Sequence, residues 1–107
     1  MNGTLSFTAI TASGQAYDID FPLHPQTRSA EAVSDLLRAV LDTISQHAAG
    51  GRDLSDGDVL QALTMALAIR ARMVGSSAES AAALVSELCD SAFTAAYAAA
   101  PYVTGRA

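Results

Sequence analysis

With 107 residues, the chain is long enough for one modest hydrophobic core and too short for two independent ones, so a single domain over residues 1–107 is expected. Half of the residues are apolar, 16% are charged, and the net charge is −5 with no lysine in the sequence. Those values argue against disorder, and against nonspecific binding to nucleic acid or to an anionic membrane, since both need clustered basic side chains.

The lone cysteine, Cys89, cannot close a disulfide within the chain, so the fold must be stable without one, as in a reducing compartment. No charged start followed by an apolar run suggests a signal peptide, and every apolar run is interrupted before the roughly 18 residues that a membrane span requires. A cytoplasmic location is expected, in the host cytoplasm if the chain is phage-encoded.

From Leu5 to Leu23 the apolar residues recur with period two: Leu5, Phe7 and Ala9, then Tyr17, Ile19 and Phe21, with Asp18 and Asp20 between them. This predicts two half-buried strands, at about 4–11 and 16–23. A two-residue Ser13-Gly14 loop would set Phe7 opposite Asp20 and scatter apolar groups over both faces. A three-residue loop, Ala12-Ser13-Gly14, pairs Leu5 with Phe21, Phe7 with Ile19 and Ala9 with Tyr17 on one face. It also places Gly14 where a bulge requires positive φ. Pro22 and Pro25 then end the second strand.

Three helices follow, at about 30–49, 56–74 and 77–99. Ser29 is suited to cap the first, whose stripe is Val33, Leu36, Leu37, Val40, Leu41 and Ile44, and Gly50-Gly51 stops it. Ser55 with Asp58 forms a capping box for the second helix, which is apolar almost all the way round apart from a wedge of Gln61, Thr64 and Arg72. That pattern predicts the central and most buried helix. Ser76 with Glu79 has the capping-box spacing for the third, whose stripe runs Ala81, Leu84, Val85, Leu88, Cys89, Ala92, Phe93 and Ala96. Pro101 ends it, leaving residues 102–107 as a short tail. The predicted fold is α+β: an N-terminal β-hairpin packed on three α-helices.

No arrangement of residues carries a recognisable chemistry. The acidic run Asp53 to Asp58 lacks the glycine at position six and the glutamate at position twelve of a calcium-binding EF-hand loop, where Asp58 and Thr64 stand instead. His24 and His47 have nothing at ligand or triad spacing, Cys89 falls on an apolar stripe, and there is no glycine-rich phosphate loop. The expectation is therefore no catalytic residues, no metal and no cofactor.

Two features point to surfaces. Arg70 falls inside the apolar arc of the second helix, where it either snorkels outward, pairs with a carboxylate such as Glu87 or Asp90, or lies at a protein interface. The hairpin leaves ladder groups open on both outer edges, which predicts pairing across a dimer or with a partner's sheet. The candidate interface residues are Arg70, Arg72, Asp18, Asp20 and Tyr17.

The expected function is that of a non-enzymatic interaction module, a small bacterial or phage adaptor or inhibitor that binds a protein partner stoichiometrically and forms a homodimer or higher homo-oligomer. The alternatives are a small-molecule binder or small enzyme with a pocket between hairpin and helices, using Tyr17, Arg70 and a carboxylate, and an acidic nucleic-acid mimic.

Overall fold

The computed structural model describes residues 3–51 and 53–104. Its element order is β1 (Thr4–Ile10), β2 (Gln15–Pro22), α1 (Ala30–Ala49), α2 (Asp56–Met73), α3 (Ala78–Ala98) and β3 (Tyr102–Val103), an α+β arrangement. By internal contact it divides into two compact units, Met1–Ser34 with Val85–Ala107, and Asp35–Leu84.

In the first unit, β1 and β2 pair antiparallel in the register required by burial: Leu5 opposite Phe21, Phe7 opposite Ile19 and Ala9 opposite Tyr17. Phe7 and Ile19 are buried, and Leu5, Ala9, Tyr17 and Phe21 flank them half-buried on the same face. The turn closes through the Thr11 amide to the Gln15 carbonyl at 2.8 Å and the Gly14 amide to the Thr11 carbonyl at 3.0 Å. Gly14 has φ +90°, as the bulge requires. Turn geometry and the apolar alternation thus select the same register.

Beyond the helices, the chain returns to the sheet. Residues 102–104 are not a free tail: Tyr102 and Val103 pair with Ala16 and Gln15, making a three-stranded sheet in the order β1-β2-β3. Thr104 adds two hydrogen bonds to the Gly14 carbonyl, from its amide at 2.9 Å and its hydroxyl at 2.6 Å. The remainder of the predicted tail, residues 105–107, lies outside the described residues. A proline that stops a helix, followed by two residues of high strand propensity, is the local reason for β3. One of the two edges predicted to be open is therefore partly covered.

Helix ends follow from local chemistry. The Ser29 hydroxyl accepts from the Ala32 amide at 3.1 Å. The Ser55 hydroxyl accepts from the Asp58 amide and the Asp58 carboxylate accepts from the Ser55 amide, each at 3.1 Å, a reciprocal capping box. At α3 the cap is Ser77 in place of Ser76, because the hydroxyl that accepts from the chain three residues on, at the Ser80 amide, is that of Ser77.

The burial of α2 differs from expectation. No residue of α2 is buried, and only Val59 and Ala71 are even half-covered. Apolarity around the whole helix says that water should be excluded; it does not say which chain does the excluding.

Replacing Gly14 by alanine brings no steric clash, since the new Cβ would lie 3.8 Å from the Thr104 hydroxyl. The cost comes from forcing a side chain into the left-handed region. Gly14→Ala is expected to lower stability by about 1–2 kcal/mol, read as a shift in the urea midpoint. Ser55→Ala should cost about 1 kcal/mol through loss of the cap.

Candidate interaction surfaces

The outer face of the sheet is built from alternate residues of β1 and β2. Asp20 accepts a hydrogen bond from the Ser6 hydroxyl at 2.7 Å, and one oxygen of Asp18 accepts from both the Thr8 hydroxyl at 2.7 Å and the Tyr102 hydroxyl at 2.9 Å. Thr8 is the direct cross-strand neighbour of Asp18, and Ser6 that of Asp20. The two carboxylates are thus held by hydroxyl donors of their own sheet. Ala16, opposite both Ile10 and Tyr102, is completely buried in this face. Tyr17 projects to the other face with Ile19 and is half-buried, so the structure brings Asp18 and Asp20 together and leaves Tyr17 out.

Tyr102 was not legible as a site residue, although it now anchors β3. Its bond to Asp18 raises the phenol pKa above the ordinary 10.0, the carboxylate's hydrogen bond being the main cause, with desolvation and the negative charge adding to it. Because the folded value is raised, this contact contributes fully at pH below the unfolded value and is lost as pH rises through the folded one. Among the three tyrosines of the chain, one should ionise late in an ultraviolet absorbance titration. Asp18→Asn should bring that ionisation back toward the ordinary value.

His24 is tied into the first unit. Its Nδ1 accepts from the Gln26 amide at 3.1 Å, so Nε2 carries the proton and donates to Glu87 at 3.4 Å. This occupies a carboxylate that the sequence offers as a partner for Arg70. Arg70 has no ion-pair partner among the described residues, and both it and Arg72 lie exposed in the last turn of α2.

The second unit holds a cleft of about 560 Å³ between α1 and α2, walled by Leu36, Val40 and Ile44 on one side and by Val59, Leu63 and Ala66 on the other. Its polar groups are Thr43, His47 and Asp58. Thr43 is already bonded to the Ala39 carbonyl at 2.8 Å and Asp58 to the Ser55 amide, leaving few groups free to orient a small ligand. Outside the cleft lining, α2 exposes Leu60 (63%), Met65 (55%), Ile69 (59%) and Met73 (69%) to solvent. On α3, Phe93 and Tyr97 stack on each other one turn apart with their rings 6.2 Å apart, both exposed. Phe93 thus departs from the buried stripe on which its spacing placed it, while Cys89 on that stripe is half-buried.

Among the described residues there is no group of three or more side chains able to hold a metal, and no helix is long and apolar enough to cross a membrane. Comparisons with known protein families, with curated proteins and with solved structures find no match to this chain.

Proposed function

We propose that this chain is a non-enzymatic protein-interaction module that self-associates and acts by stoichiometric binding, as an adaptor or inhibitor would. The observation that carries this reading is the amount of surface that one chain leaves uncovered.

A chain of 11.0 kDa exposes 8150 Å². Two separate compact bodies of half the mass, a reference independent of how the units sit, would expose together about 6,800 Å². The excess is therefore about 1,400 Å². Much of it is apolar, on Leu36, Leu60, Ile69, Met73, Phe93 and Tyr97. Large apolar side chains exposed in such number support an association site in a folded protein.

Small-molecule binding is less well supported. The cleft is large enough, but its walls are aliphatic and two of its three polar side chains are already engaged. Side chains of a protein partner suit such walls better than a ligand that needs orientation.

Sedimentation equilibrium over a micromolar concentration range should give a mass that is an integer multiple of the chain, with unfolding midpoints that rise with concentration. A monomer of 11.0 kDa throughout would overturn the reading. Affinity capture from the native host with the oligomer as bait then identifies any other protein it binds.

A further inference from the structure

We infer that the chain self-associates through the free edge of β1, to which β1 of a second copy adds antiparallel across a twofold axis that passes by Phe7, making the two sheets one. This inference rests on the self-association proposed above and gives it a strand, a direction and a register. Every residue it uses belongs to the first compact unit.

Which groups the edges offer follows from the phase of the ladder. In an antiparallel pair, residues that exchange hydrogen bonds alternate with residues that do not. The Leu23 amide donates to the Gly3 carbonyl at 2.9 Å and the Thr11 amide to the Gln15 carbonyl at 2.8 Å. Both pairs continue the β1–β2 register, so the bonded pairs between them are Leu5 with Phe21, Phe7 with Ile19 and Ala9 with Tyr17. Thr4, Ser6, Thr8 and Ile10 therefore turn their amides and carbonyls away from β2, as Ala16, Asp18 and Asp20 turn theirs away from β1. The pairing of Ala16 with Tyr102 and the bond from the Thr104 amide to the Gly14 carbonyl at 2.9 Å fit this phase.

The two edges differ. That of β2 is covered by β3 at Gln15 and Ala16, carries the negative charges of Asp18 and Asp20 beyond it, and ends on Pro22, which turns no donor outward. That of β1 has none of these guards. Over Thr4–Ile10 it has no charged residue and no proline, β2 is its only strand neighbour among the described residues, and Thr4, Ser6, Thr8 and Ile10 are all exposed. The Ser6 and Thr8 hydroxyls are already given to Asp20 and Asp18, so what the edge leaves open is main chain. Strand addition is the interaction that such groups recognise.

The strand also fits itself. Its open groups lie on the even-numbered residues alone, and an axis at Phe7 sets even against even, with Ser6 opposite Thr8 of the second copy and Thr4 opposite its Ile10. No other antiparallel register pairs the strand over its whole length. Leu5 opposite Ala9, and Phe7 opposite Phe7 at the axis, extend the apolar face, while Ile10, 66% exposed, gains Thr4 as cover on the outer one. Charge selects the same edge. Joined at β1, the Asp18 and Asp20 carboxylates of the two copies lie three strand spacings apart, about 14 Å, beyond the screening length of about 8 Å at physiological salt. Joined at β2, they would be like-charged neighbours across a single spacing.

Proline tests the two edges separately. Thr8→Pro removes an outward amide and leaves the bonded pairs with β2 intact, and it should weaken self-association about tenfold or more in sedimentation equilibrium. Asp20→Pro does the same to the outer edge of β2 and should leave association within about threefold of the unaltered protein. Circular dichroism verifies that each variant keeps its fold. Amide exchange reads the edge with no substitution: the Ser6 and Thr8 amides should exchange slowly in the oligomer and fast in the chain diluted to monomer. For the register, an equimolar mixture of Ser6→Cys and Thr8→Cys chains in a Cys89→Ser background should oxidise mainly to the mixed disulfide dimer, since facing Cα atoms of a bonded pair lie about 5.5 Å apart.

Association that survives Thr8→Pro, with these amides unprotected, would overturn the β1 edge while leaving self-association standing. Protection of the same amides that persists in the monomer would mean that the chain covers the edge itself, and overturns the inference equally. Cross-linking of either cysteine variant with itself would move the axis off Phe7 and overturn the register. If the unaltered chain is monomeric at every concentration, self-association fails and this placement fails with it.

Discussion

Everything in this molecule depends on the exclusion of water from apolar surface, which among the described residues is most complete in the sheet. Its best-buried side chains, Phe7, Ala16 and Ile19, all belong to the sheet. None of the three helices contains a buried residue. Burial contributes roughly 25 cal/mol for each Å² of apolar area removed from water. Helices whose covered faces are only half-buried gain only part of the term that ordinarily offsets their conformational entropy. What local chemistry supplies in return is modest. The caps at Ser29, Ser55 and Ser77 each contribute on the order of 1 kcal/mol. They fix where the helices begin and do little to decide what lies against them.

The sheet was legible in the sequence because several independent signals agreed on it. Period-two alternation, the loop length that keeps Phe7 opposite Ile19, and a glycine at the one turn position needing positive φ all select one pairing. Helix boundaries were nearly as clear, since a serine three residues before a good acceptor or donor pair is a local event. The displacement from Ser76 to Ser77 shows the limit of such a signal: in a run of two serines the spacing to Glu79 favours one, and the hydroxyl that closes on the Ser80 amide belongs to the other.

Long-range placement was not legible. Strand β3 is two residues long, too short for any period to be expressed, and its partner lies more than eighty positions earlier in the chain. The burial of α2 failed as an inference for a different reason. A hydrophobic wheel records that a helix is to be covered, and it is silent on whether the cover comes from the same molecule. Of the candidate surface residues, Asp18 and Asp20 proved to be held by neighbouring hydroxyls and Tyr17 to face the other way, whereas Arg70 has no ion-pair partner among the described residues.

The return of the chain to its own first turn also orders events in time. The hairpin contains only local contacts and can form as soon as residues 4–22 exist. The neighbour of Gln15 and Ala16 on the other edge is made only after all three helices have been synthesised. Until Tyr102 and Thr104 arrive, that stretch of β2 presents unpaired ladder groups to whatever strand is nearby. Closing so long a loop costs little more than closing one of half the length, because the entropy grows only with the logarithm of the separation. The hydrogen bonds from Thr104 to Gly14 therefore act as a late latch on an element that formed first, and they mark the point in synthesis at which Gln15 and Ala16 cease to be open to strand exchange.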